Sequence, residues 1–222
     1  LALGDFDGQE GLEIVTEGGT ALYQLEPEGE LRALEGLAGT EPGDRLYPVD
    51  FDRDGALDLY IARGGGLPDS LLRNAGDGRF VDETIERGLL VFGDTTAVVW
   101  LDYDQDGRPD LLLGYRDRPL ELFRQTESGA FQPLAWELKL WVPRGVLALA
   151  AADADGNGFT DLFIAREDGR NQLLLSQPAP LWSEWRFAPT EESFTLADGV
   201  PVTCAQFFDF DRDGRSDLLL AS

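Results

Sequence analysis

Five nine-residue segments align without gaps along this chain, each beginning and ending on an acid. They are Asp5-Phe-Asp7-Gly-Gln9-Glu-Gly-Leu-Glu13, Asp50-Phe-Asp52-Arg-Asp54-Gly-Ala-Leu-Asp58 and Asp102-Tyr-Asp104-Gln-Asp106-Gly-Arg-Pro-Asp110, followed by Asp153-Ala-Asp155-Gly-Asn157-Gly-Phe-Thr-Asp161 and Asp209-Phe-Asp211-Arg-Asp213-Gly-Arg-Ser-Asp217. Their first aspartates are 45, 52, 51 and 56 residues apart. Regular recurrence at this period belongs to repeat architectures, and a spacing near 50 residues fits one four-stranded propeller blade per repeat.

The flanks of the segments read as strands. Before them stand Ala97–Leu101, Val146–Ala150 and Val202–Phe208; after them stand Leu59–Ile61, Leu111–Leu113, Leu162–Ile164 and Leu218–Leu220. These short apolar runs are bounded by Gly, Asp and Arg, which suits buried strands rather than helices. The acidic segment is then the connection of a β-hairpin. A second hairpin follows in Leu71–Val81 around Asn74-Ala-Gly-Asp77-Gly78, where Asn74 and Asp77 are turn formers. Weaker echoes lie at Leu22–Leu25 with Gly29, at Leu122–Arg124 with Gly129, and at Leu173–Leu175 to Trp185–Phe187.

The expected fold is therefore all-β, a β-propeller of four-stranded antiparallel blades. Residues 1–222 read as a single repeat domain with blades at about 1–44, 45–95, 96–145 and 146–199 and a partial blade at 200–222. A propeller closes its ring to remove strand edges. Four repeats and a half imply that missing strands come from the parent chain or from another copy. Leu1 as first residue and the absence of Met fit a piece of a longer precursor.

Carboxylates at alternate positions of a tight loop converge on one point, and calcium takes six to eight such oxygens. Gly at the sixth position permits the left-handed turn. The expected ligands are Asp50, Asp52, Asp54 and Asp58; Asp102, Asp104, Asp106 and Asp110; Asp153, Asp155, Asn157 and Asp161; and Asp209, Asp211, Asp213 and Asp217. Asp5, Asp7, Gln9 and Glu13 make a weaker set, with Glu10 where the glycine belongs. An EF-hand begins similarly but ends on Glu at position twelve between helices, and neither feature is present. Magnesium prefers a tighter octahedral site with retained waters.

Charge agrees with this reading. The chain carries 18 Lys and Arg against 42 Asp and Glu, for a net charge of −24, and 18 of those acids stand at the first, third, fifth and ninth positions of the five segments. Such a field repels nucleic acid and anionic lipid. No apolar run reaches the ~18 residues of a membrane span. The chain has no His and one Cys, which excludes His-based catalysis, His-ligated zinc and an internal disulfide. Cys204 sits in an apolar run and is expected to be buried.

The Asp-x-Asp-x-Asp-Gly-x-x-Asp pattern at this period resembles the FG-GAP/VCBS repeats of integrin α-chain propellers. Leu72–Asp82, followed by Gly88-Leu89, is similar to the cartilage acidic protein-like bacterial branch. The resemblance implies a propeller, calcium in the blade hairpins, and a secreted, periplasmic or cell-surface location.

Three roles compete. The first is a non-enzymatic calcium-binding module for protein recognition, adhesion or scaffolding. The second is a lectin-like propeller whose Trp136, Trp141, Trp182 and Trp185 stack on sugars, although packing in the core or between blades is expected for most of them. The third, the propeller of a polysaccharide lyase or hydrolase, needs a spare carboxylate pair, and the well-placed acids are taken up by the loops.

Overall fold

The computed structural model describes residues 2–6, 13–15, 21–25, 31–35, 44–76, 79–138, 140–177, 187–189 and 199–222. They fall into two compact units, Leu1–Asp94 with Thr126–Phe131, and Thr95–Gln125 with Gln132–Ser222. Among the described residues every element is a strand, and each sheet is antiparallel and built in sequence order. The first sheet is β1 (Ala2–Gly4), β2 (Glu13–Val15), β3 (Ala21–Leu25) and β4 (Leu31–Glu35). The second is β5 (Arg45–Val49), β6 (Asp58–Ala62), β7 (Ser70–Asn74) and β8 (Phe80–Asp82). The third is β9 (Thr95–Leu101), β10 (Asp110–Tyr115), β11 (Glu121–Gln125) and β12 (Phe131–Pro133). The fourth is β13 (Val146–Ala152), β14 (Asp161–Arg166), β15 (Gln172–Ser176) and β16 (Phe187–Pro189), and β17 (Cys204–Phe208) pairs with β18 (Asp217–Ala221). Repeated four-stranded antiparallel sheets of this kind are the blades of a β-propeller. Among the described residues no helix is long and apolar enough to cross a membrane.

In the second, third and fourth blades the second strand is the most buried. β6 and β10 are buried along their whole length, as runs such as Asp58-Leu-Tyr-Ile-Ala62 require when both faces are covered. In the first unit Phe6, Leu46, Leu59, Ile61 and Leu72 form one cluster. In the second, Leu112, Leu122, Val146, Leu149, Leu162 and Ile164 form the centre of a larger one. Gly114 lets β13 approach closely, since a Cβ there would meet Val146 Cγ1 at 2.5 Å. Fully burying each such aliphatic side chain contributes about 1.5–3 kcal/mol.

Cys204 departs from expectation: it is exposed. Side chains alternate along β17, and Ala205 and Phe207 pack on the cluster of Ala148, Phe163 and Val202. Cys204, Gln206 and Phe208 therefore point to the opposite face. Trp136 and Trp141 are exposed as well, by 72% and 63%, rather than packed in a core. Trp182, Trp185 and Asp77 lie outside the described residues.

Candidate metal centres

The same register positions all four described loops. The residue before each loop pairs with the ninth loop residue: Val49 with Asp58, Leu101 with Asp110, Ala152 with Asp161, and Phe208 with Asp217. The ninth acid is thus the first residue of its strand, locked in place by the ladder. The loop backbone also repeats. The sixth-position glycines Gly55, Gly107, Gly158 and Gly214 have φ of 92°, 82°, 86° and 85°. The fourth position is left-handed too, at Arg53 (59°), Gln105 (60°), Gly156 (76°) and Arg212 (63°). Non-glycine residues in that region cost about 1–2 kcal/mol, so the loop holds three side chains against their preference.

Hydrogen bonds explain how the loop stays closed. The first-position carboxylate accepts the N–H groups of the fifth and sixth residues: Asp102 takes Asp106 at 3.0 Å and Gly107 at 2.8 Å, and Asp50, Asp153 and Asp209 take their counterparts. The ninth-position carboxylate takes the N–H of the second residue on Oδ2, from Phe51 (3.0 Å), Tyr103 (3.1 Å), Ala154 (2.8 Å) and Phe210 (2.8 Å). In three blades its Oδ1 also takes an N–H from the third strand, from Asn74 (2.8 Å), Gln125 (2.8 Å) and Ser176 (2.7 Å). Asp58, Asp110 and Asp161 are completely buried. The aromatic second residues Phe6, Phe51 and Tyr103 are buried and pin their loops to the core, whereas Phe210 of the last loop is exposed.

Asn74 is more than a turn former. Its Oδ1 accepts Gly76 N–H at 3.0 Å, as a turn requires, while its buried amide donates to the carbonyls of Phe6 (2.5 Å) and Leu57 (3.0 Å). It therefore ties the first loop to the second.

The folded loops bring together the first, third and ninth acids. Oxygens of Asp50, Asp52 and Asp58 lie within 4.8 Å of one another, as do those of Asp102, Asp104 and Asp110, of Asp153, Asp155 and Asp161, and of Asp209, Asp211 and Asp217. These triads could hold a metal ion. The fifth-position residues are not part of those triads, and their Oδ1 atoms accept an N–H two residues on, at Ala56, Arg108, Phe159 and Arg215. In the first loop Asp5 is exposed, while Asp7, Gln9 and the side chain of Glu13 lie outside the described residues.

The electrostatics suit a cation. Burial, reinforced by the neighbouring carboxylates, pushes Asp58 and Asp110 from 3.8 up to about 7 despite their backbone hydrogen bonds. Burial also raises Asp161, and burial with the charge of Asp54 raises Asp52. Asp104 Oδ1 is buried with no hydrogen-bond partner, an oxygen for which the protein supplies no donor. All-oxygen anionic donors of this sort match hard divalent cations.

The third loop has two basic neighbours. Arg124 lies 2.8 Å from Asp104 Oδ2 and 3.4 Å from Asp106 Oδ2, and Arg108 also pairs with Asp106. Asp106 is held below the usual range, burial being outweighed by the Arg108 N–H and the two guanidinium groups. The residue at the same strand position is Arg73 in the second blade and Leu175 in the fourth. Arg73 pairs with Glu83 at 2.5 Å. In the third loop a guanidinium thus pairs with an acid of the triad, and in the second the charge of Arg73 also acts on Asp52.

Sheet, register and acidic hairpin together define a propeller repeat protein with acidic hairpin loops. Comparison with known families gives the same class: the FG-GAP-like repeat family matches residues 50–113, 102–164 and 153–220, and the chain belongs to that family. It is similar to cartilage acidic protein 1 of Xenopus tropicalis, at 28% identity over 75% of this chain and 26% of that protein. The human cartilage acidic protein 1 is 27% identical over 92% of this chain and 33% of its own length. The chain thus spans about a quarter to a third of these curated relatives. Among solved structures, BBS1N in complex with ARL6DN shares the fold, with a TM-score of 0.58 at 15% identity, covering 100% of this chain and 60% of that one.

Proposed function

We propose that this chain is a calcium-stabilised propeller module that presents a surface for protein recognition or adhesion outside the cell. The observation that carries the reading is the recurrence of one loop geometry, with three acid oxygens within 4.8 Å at each of four loops. Asp50, Asp52, Asp54 and Asp58 would hold one calcium ion, and Asp102, Asp104, Asp106 and Asp110 a second. Asp153, Asp155, Asn157 and Asp161 would hold a third, and Asp209, Asp211, Asp213 and Asp217 a fourth. The first-loop set of Asp5, Asp7, Gln9 and Glu13 would be weaker. When bound, calcium neutralises carboxylates whose mutual repulsion otherwise loosens the hairpins.

Millimolar calcium outside cells would keep such loops filled, which supports a secreted, periplasmic or surface location. Binding rather than catalysis follows from the use of the converging carboxylates in the loops. The blades would run to about residues 44, 95, 145 and 199, with further strands from the parent chain or another copy. The test is thermal unfolding in chelator, calcium and magnesium. Calcium should raise Tm strongly and magnesium far less; equal melting in all three would refute the proposal.

A further inference from the structure

Away from the acidic loops, the third blade carries a groove of about 710 Å³. That volume lies in the range of ligand sites. Trp136 and Trp141 stand in it with ring centroids 4.4 Å apart at 53°, exposed by 72% and 63%. Pro119, Pro133, Pro143 and Leu140 complete the apolar wall. Two large aromatics left in water beside one another are costly unless something covers them, and Trp is the residue most enriched at binding hot spots. The groove is pre-formed. Its floor is fixed by backbone bonds from Leu120 N–H to Val142 O (3.0 Å) and from Leu140 N–H to Ala135 O (2.9 Å).

The polar groups choose among occupants. Arg118 is stacked on Tyr115 at 4.9 Å and ion-paired to Glu121, whose other oxygen takes the Tyr115 hydroxyl at 3.3 Å. Few hydrogen-bonding groups are therefore left for sugar hydroxyls, each of which needs a partner when buried. Arg118 offsets Glu121 in the lining, Glu137 adds a further carboxylate, and the chain's net charge is −24. A second copy of the chain would bring the same charge and be repelled, whereas a cationic ligand is attracted.

We infer that the Trp136–Trp141 groove binds an extended peptide segment of a partner protein, one with a proline or aliphatic anchor flanked by Lys or Arg. The inference gives the recognition role proposed above a site and a ligand chemistry, and it does not depend on the calcium loops.

The test is selection from a random dodecapeptide phage library on the calcium-saturated chain, with depletion on Trp136→Ala/Trp141→Ala. The replaced side chains are exposed, so both proteins should melt alike, which is checked first. Enriched peptides should carry Pro, Leu or Val beside Lys or Arg. As synthetic peptides they should bind Trp141→Ala at least about tenfold more weakly. Glu137→Arg should weaken cationic peptides similarly and shift selection toward anionic ones. Four outcomes would overturn the inference: no enrichment over the double variant, enrichment without a cationic preference, glycan-array binding that the Trp variants abolish, or a concentration-dependent dimer that Trp141→Ala dissolves. The calcium melting experiment is unaffected by any of them, so the two proposals fail separately.

Discussion

Asp104 and Asp110 belong to one triad but are held differently, and replacing each with Asn should separate the two duties of the loop. Asp110 is fully buried and accepts Tyr103 N–H at 3.1 Å and Gln125 N–H at 2.8 Å. Asn keeps one acceptor oxygen and turns an amide donor toward the other N–H. Leaving a buried donor unmet costs about 1–3 kcal/mol, so Asp110→Asn should lose that much even in chelator. Asp104 has one buried oxygen without a partner and another facing the half-exposed Arg124. Its loss should cost no more than an exposed ion pair, at most about 1 kcal/mol in chelator. With calcium at a hundredfold excess over Kd, one filled site is worth about 2.7 kcal/mol, and both variants should forfeit that share. Urea unfolding followed by tryptophan fluorescence, with chelator and with calcium, gives all the values. Equal destabilisation in chelator would refute the division of labour. A full calcium increment in either variant would refute the ligand assignment.

Two further outcomes are expected. Asp58 and Asp110 have folded-state values raised from 3.8 to about 7, so they favour the folded state while protonated and lose that contribution as pH rises toward 7. Between pH 5.5 and 7 the metal-free protein should lose about 1.5 kcal/mol per carboxylate, seen in calorimetry as a Tm that falls with pH; a flat or rising Tm in chelator would contradict this. Arg124→Ala should tighten calcium at the third loop by about fivefold, the worth of a partly exposed ion pair, in titration calorimetry. Unchanged affinity would mean that the guanidinium moves aside at no cost.

Much of the fold was legible in the residues themselves. The spacing of the acidic segments and the apolar runs around them marked the blade strands, because an alternating acidic loop between short apolar runs has few other uses. Gly55, Gly107, Gly158 and Gly214 announced their own left-handed turns. The fourth position did not, because Arg53, Gln105 and Arg212 are poor predictors of positive φ, and only Gly156 hinted at it. The backbone clasp on Asp58, Asp110 and Asp161 was equally hidden, since its donors sit on a neighbouring strand. Cys204, Trp136 and Trp141 misled for one reason: apolar character indicates a preference for burial but not whether a neighbour exists to provide it.

That clasp also sets which positions of the repeat are free to drift. The opening and closing acids fasten the hairpin through main-chain donors whether or not an ion is present, so their replacement endangers the blade itself. The fifth position contributes less to closure, and the chain already shows Gln9 and Asn157 there while keeping an acid at both ends of every repeat. A blade of this design can surrender its ion gradually and remain a blade, which would allow a ring to carry retired sites beside working ones.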